Sequence, residues 1–207
     1  MIDVHVRFFD LDAVLVDEPI LSASEHERVA RKATPTLRQR QAASFHCLRV
    51  TLGEVLGAMP AALAFRIADS GKPALLDHAL HFNVSHSGGV GMLAWGPREL
   101  GADVEALIAR PSEGLAEEIL SPRELDAWRA LPITERQPWL TRAWTRKEST
   151  LKAVGSGLRI PPRTIDLGDQ NDAWTVRVSE REWRGIDCTD GVPEGFRAAV
   201  CIEAPHE

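Results

Sequence analysis

Two stretches constrain the fold of this chain most: "LRQRQAASFHCLRVTLGEVLGAM" (37–59) and "PWLTRAWTRKESTLKAVGSGL" (138–158). In the first, Leu37, Phe45, Leu48, Leu52, Val55 and Leu56 recur near helical spacing, and Gly57 supplies a stop. The second ends at Gly155 and Gly157. Glycine adopts the left-handed conformation that closes a helix at little steric cost. "LRVTLGEVLGAM" and "KESTLKAVGSGL" share one leucine-to-glycine cadence, and strand-like segments follow each. This pattern predicts an α+β protein of two similar α+β halves, residues 1–100 and 101–207, with a seam near residue 100. Ligands favour such interfaces.

Residues 3–9, 12–16, 62–69, 81–87, 90–96 and 100–107 read as strands in the first part, with "SGGVG" as the turn before "VGMLAWG". In the second part "SPRELDAWRAL" opens a helix. Ser121 is its N-cap, Pro122 stands at the first helical position, and Glu124 completes a capping box. "TIDLGD" (164–169), "WTVRVSE" (174–180) and "FRAAVCIEA" (196–204) read as strands.

The start of the chain lacks the basic and apolar regions of a signal peptide, and no apolar run reaches bilayer length. A cytoplasmic protein with no membrane partner is expected. Cys47, Cys188 and Cys201 are scattered without a CxxC pair, which argues against a disulfide framework and a thiolate zinc site. The net charge of −6 makes wholesale nucleic-acid binding an unsuitable role. Yet Arg28, Arg31, Lys32, Arg38, Arg40 and Arg49 fall in a segment without acids. A local basic patch on an acidic protein suits a small phosphorylated ligand, or is a solvated helix face.

The chemistry-bearing residues are separate in sequence. Asp103 and Glu105 are two apart in "ELGADVEAL", so on a strand they point to one side. They can join a hard-cation site of the kind Mg²⁺ prefers, or line the wet face of an edge strand. Glu148 and Lys152 are four apart and share a helix face. Glu148 can be a metal ligand or a general base and Lys152 a phosphate contact; equally, they can form an ordinary surface pair. In "HFNVSHSGG", Ser85 and His86 are adjacent and so face opposite ways, which speaks against a serine–histidine hydrolase pair. No G-x-S-x-G elbow and no P-loop lysine is present. A hydroxyl and an imidazole beside a glycine turn can instead bind phosphate oxygens. Lys72 stands between Gly71 and Pro73, in a loop stiffened by the proline.

Taken in order, "GKP", "FNVSHSGG", "GADVE", "SPREL" and "WTRKESTLKAVGSGL" closely resemble the motifs of 4'-phosphopantetheinyl transferases of the surfactin-synthetase type. The resemblance runs from about Arg28 to Pro161. It implies a pseudo-dimer of two α+β halves with the active site in the cleft between them, coenzyme A as substrate, Mg²⁺ as cofactor, and transfer of phosphopantetheine to a serine hydroxyl of an apo acyl or peptidyl carrier protein, releasing adenosine 3',5'-bisphosphate. It implies Asp103, Glu105 and Glu148 as metal ligands, and Glu148, Lys152 and Glu105 as catalytic. Glu148 and Glu105 are rivals for the carrier proton. Lys72, Ser85, His86, Arg49, Arg28, Arg31 and Lys152 would contact coenzyme A, and Lys147 would play a supporting part. A monomer is the family's usual state. Two other classes use the same residues: a Mg²⁺-dependent phosphohydrolase acting on coenzyme A or a nucleotide, and a non-catalytic coenzyme A or carrier-binding module.

Overall fold

The computed structural model describes residues 3–68, 71–76, 78–168 and 173–205. In chain order its elements are β1 (His5–Asp10), α1 (Ala23–Ala30), α2 (Pro35–Leu56), β2 (Phe65–Ile67), β3 (Pro73–Leu75), β4 (His81–Ser87), β5 (Val90–Gly96) and β6 (Leu100–Ala106). Then follow α3 (Glu113–Ile119), α4 (Pro122–Ala130), α5 (Ile133–Val154), β7 (Ala173–Val178), β8 (Arg181–Cys188) and β9 (Phe196–Glu203). The fold is mixed α/β with antiparallel sheets. One sheet has the order β1-β5-β4, the other β6-β9-β8-β7, and β2 pairs with β3 alone. No helix among the described residues is long and apolar enough to cross a membrane.

The two long helices end as their glycines predict. Gly57 and Gly155 adopt φ of 63° and 72°. Leu48 and Leu52 of α2 pack on Phe82, Leu93 and Trp95 of the first sheet. Leu151 and Ala153 of α5 pack on Ala199, Cys201, Trp174 and Trp183 of the second. A third apolar layer joins the two sheets, where Met92 and Ala94 meet Ala102, Val104, Ala198 and Val200. Strands β5 and β9 thus send alternate side chains to a helix on one side and to the other sheet on the other.

Several segments differ from the sequence reading. Residues 12–16 form no strand. The Asp10 carbonyl and carboxylate accept from Ala13 N and Asp12 N, which turns the chain out of the sheet. Residues 164–168 form no strand either, and residue 169 lies outside the described residues. There Ile165 and Leu167 are buried in the core, and side chains replace a ladder partner. Lys147 donates to the Ile165 carbonyl, and Glu124 accepts from Leu167 N. The segment read as a strand from 62 to 69 shortens to β2, with residue 69 outside the described residues.

Elements not foreseen carry readable signals. Helix α1 starts on a Ser22–Glu25 capping box, and Ser112 caps α3. Strand β8 is joined to β7 by Ser179 and Glu180, both at positive φ (52° and 63°). Tight hairpin turns of that hand are usually marked by asparagine or glycine. Here neither residue marks the hairpin.

Candidate active site

Strand β6 is the edge of its sheet, because β9 pairs with it on one side only. An edge strand leaves alternate N–H groups without ladder partners. Strand β4 satisfies them with side chains. Asn83 Oδ1 accepts from Ala102 N at 2.9 Å, Ser85 Oγ from Val104 N at 3.4 Å, and Ser87 Oγ from Ala106 N at 3.2 Å. The period of two in "NVSHS" thus matches the period of two in the neighbouring strand.

The other face of β6 lies against α5. A Cβ on Gly101 would stand 2.1 Å from the Ser149 carbonyl oxygen and 2.3 Å from Ala153 N. Only a residue without a side chain lets the helix pass so close. That approach delivers Glu148 and Lys152 to the acids on the same face. Lys152 Nζ is 2.6 Å from Asp103 Oδ1 and 3.0 Å from Ser85 Oγ, and Ser85 Oγ donates to Asp103 Oδ1 at 2.8 Å. Ser87 Oγ donates to Glu105 Oε2 at 2.7 Å, and Trp144 Nε1 reaches Glu105 Oε1 at 3.4 Å. Glu148 makes no hydrogen bond or ion pair among the described residues; the charges acting on it are Lys152, Asp103 and Glu105.

These surroundings set the ionisation of the group. Burial pushes the Glu148 carboxyl above the usual range; Lys152 pulls it back, and Asp103 and Glu105 add to the rise. Burial also raises Glu105, helped by the Asp103 charge and opposed by the hydrogen bond from Ser87. Burial and the nearby Lys32 and Lys152 ammonium groups lower His86, which favours its neutral form.

A cavity of about 590 Å³ adjoins the acids. Five residues singled out in the sequence line it: Arg28, Arg49, Lys72, His86 and Lys152. His86 faces this side because its neighbour Ser85 faces β6. Arg28 stacks over the Phe45 ring at 4.9 Å. The Arg49 guanidinium is bonded to Glu25 Oε2 and to the Pro60 and Leu63 carbonyls, so it braces the wall. Lys72 Nζ is held by Glu99 Oε2 and the Leu100 carbonyl, each at 2.8 Å. Arg31 is outside the wall and pairs with Glu27 at the surface. Lys147 is fully buried; it pairs with Glu124 at 2.5 Å and ties α5 to α4. Sequence reasoning missed Asn83, Ser87 and Gly101, whose signals are the alternation along β4 and a glycine inside a strand.

Among the described residues, no group of three or more His, Cys, Asp or Glu is gathered closely enough to hold a metal ion as the side chains stand. Lys152 occupies Asp103 Oδ1 instead. The donor set nevertheless fits a hard divalent cation. Among the described residues Asp103 Oδ2 is buried without a hydrogen-bond partner, and all three acids offer carboxylate oxygen.

Fold and site together define a mixed α/β protein whose cationic cavity meets a group of three carboxylates across one lysine. Residues 99–201 match the model of the 4'-phosphopantetheinyl transferase superfamily. The chain is 38% identical over 146 residues to the 4'-phosphopantetheinyl transferase HetI of a Nostoc species, covering 67% of this chain and 61% of that relative. A putative 4'-phosphopantetheinyl transferase of a Synechocystis species is 32% identical, over 68% of this chain and 59% of the relative. The chain thus spans about three-fifths of the length of these two relatives. The 4'-phosphopantetheinyl transferase Sfp of Bacillus subtilis is 27% identical over 93% of this chain and 91% of its own length. The chain belongs to the 4'-phosphopantetheinyl transferase superfamily.

Proposed function

We propose that the protein transfers the 4'-phosphopantetheine group of coenzyme A to a serine hydroxyl of an apo acyl or peptidyl carrier protein, with Mg²⁺, releasing adenosine 3',5'-bisphosphate. The observation that carries this reading is the meeting of the cationic cavity and the three carboxylates at Lys152. An anionic nucleotide has its charge met on one side and its reacting phosphate brought to the acids on the other. The names of the relatives, 4'-phosphopantetheinyl transferases, agree with the transfer.

Within this reading Arg28, Lys72 and His86 bind coenzyme A phosphates along the cavity wall, and Arg49 shapes that wall through its bond to Glu25. Asp103, Glu105 and Glu148 would hold Mg²⁺. Bound there, the ion would neutralise charge on the pyrophosphate and make leaving-group departure easier. Lys152, released from Asp103, steadies the phosphates and the departing bisphosphate. Glu148 accepts the proton of the carrier serine. Among the described residues Glu148 makes no hydrogen bond, which leaves it available as a base, whereas Glu105 has both oxygens engaged.

Residues 1–100 and 101–207 form two related α+β units in this reading, acting as a monomer in the cytoplasm. Support comes from the matched pair of helices of 22 residues, α2 and α5, each closed by a left-handed glycine and packed on an antiparallel sheet. The test is incubation with coenzyme A, Mg²⁺ and a panel of apo carrier proteins, read by carrier mass. Gain of phosphopantetheine is expected. No gain on any carrier overturns the reading, and release of the bisphosphate without a carrier replaces it with a phosphohydrolase.

A further inference from the structure

The three polar side chains of β4 perform unequal work. Asn83 caps Ala102 N with its amide oxygen, opposite a stretch of β6 that has no acid. Ser85 and Ser87 each cap an N–H and also donate to the carboxylate one residue earlier. Ser85 accepts from Val104 N and donates to Asp103; Ser87 accepts from Ala106 N and donates to Glu105. A hydroxyl does both through a single oxygen, being one donor and two acceptors. The same two-bond device is therefore repeated at two residues' spacing, once for each acid of "DVE".

The second repeat has no assigned role. Ser87 does not line the cavity, and it is away from Lys152, whose ammonium bonds Ser85 and Asp103. Its hydroxyl joins one oxygen of Glu105 to the backbone of β6. Trp144 Nε1 approaches the other oxygen from α5 at a longer 3.4 Å. Without Ser87 the half-buried Glu105 carboxylate would keep only that weak contact and would be free to rotate away from Asp103. Loss of the hydroxyl would also leave Ala106 N uncapped, but that residue is exposed and water can replace the bond.

We propose that Ser87 is a positioning residue, which fixes the Glu105 carboxylate beside Asp103 so that the two carboxylates face one site together. The inference rests on the proposed function in that Glu105 is taken as part of the reacting site. Ser87 does not line the cavity, and its hold on the site runs through Glu105.

The experiment compares the full-length parent, Ser87→Ala and Ser87→Thr. Thermal unfolding is measured without ligand, Mn²⁺ affinity by the paramagnetic signal of free ion, and carrier transfer as kcat and KM for coenzyme A. Removing a partner of a metal ligand typically costs ten- to a hundredfold in affinity or activity. Ser87→Ala is expected to weaken Mn²⁺ binding and lower kcat by roughly tenfold, with KM for coenzyme A and thermal unfolding close to the parent. Ser87→Thr keeps the hydroxyl and is expected to restore both. Mn²⁺ affinity and kcat within twofold of the parent in Ser87→Ala overturn the proposal. So does a loss that Thr does not rescue, or one that follows a fall in thermal stability, since these mark a merely structural serine. An active, Mn²⁺-binding parent with an unaffected Ser87→Ala sinks the serine alone. A parent that neither transfers nor binds Mn²⁺ sinks the site reading and the serine with it.

Discussion

At Gly101 the demand on the sequence is absolute space. The atoms that a side chain would meet are the Ser149 carbonyl and the Ala153 nitrogen, both backbone within α5. Neither can rotate aside, so Gly101→Ala must push the helix off the strand. Overpacking of this kind typically costs 1–3 kcal/mol, and a loss of about 3 kcal/mol in urea unfolding is expected here because only backbone can yield. A variant within error of the parent would show that α5 rides higher than described. The thiols give a milder expectation. Burial pushes Cys47 up to about 11, and Cys188 and Cys201 up to about 12. Only the thiolate is a good nucleophile. Native protein should therefore react slowly with a disulfide reagent at mildly alkaline pH and show all three thiols only on unfolding. Fast native labelling would contradict the burial.

Helix α5 is anchored at several points along its length. Arg142 and Arg146 reach Asp187 on β8, and Lys147 reaches Glu124 on α4 and the Pro162 and Ile165 carbonyls. Both members of the Lys147–Glu124 pair are almost wholly buried (0% and 2% exposed). Breaking a buried pair by removing one partner leaves an uncompensated charge and typically costs 3–5 kcal/mol. Lys147→Met should lose about 3 kcal/mol in denaturant unfolding. Adding Glu124→Gln to it should recover part of that loss. The loop before β3 is held to the start of β6 differently, by Lys72 on Glu99. Burial pushes the Glu99 carboxyl up, but the hydrogen bond and charge of Lys72, with His81, outweigh it and leave the group below its ordinary value. A depressed carboxyl stabilises the fold above the unfolded-state value, and that stability is lost as pH falls through the folded value. Stability measured from neutral into acid pH should fall less steeply in Glu99→Gln than in the parent. Parallel curves would mean that the pair contributes nothing measurable.

Across the whole molecule, a ligand that binds only the folded state raises its stability by linkage, about 2.7 kcal/mol at a hundred times its Kd. Mg²⁺ with coenzyme A should raise the unfolding temperature of the parent. Asp103→Ala removes the carboxylate whose buried oxygen has no partner among the described residues, and should abolish both that rise and carrier transfer while folding normally. An undiminished shift would move the cation elsewhere. The long helices, their glycine stops, the capped start of α4 and strands β4, β5 and β6 were legible in the sequence, because each is written in local periodicity and capping chemistry. Within the strand expected at 164–169, residues 164–168 were not legible as a loop, since their backbone is satisfied by Lys147 and Glu124, far away in sequence. The β7–β8 hairpin escaped notice because Ser179 and Glu180 do not advertise a turn of that hand.

The sequence by itself determined which residues carry chemistry: two acids at strand spacing, a glutamate and a lysine at helix spacing, and an alternating polar strand. Only the tertiary structure decided that Lys152 rests on Asp103, that Ser85 and Ser87 each grip one acid, and that Arg49 is spent on Glu25 within the wall. The physical reason is range. Periodicity and capping act over a few residues and can be read along the chain. The pairing of β4 with β6 by side chains, and the close pass of α5 over Gly101, depend on which surfaces meet, and no local pattern records that meeting.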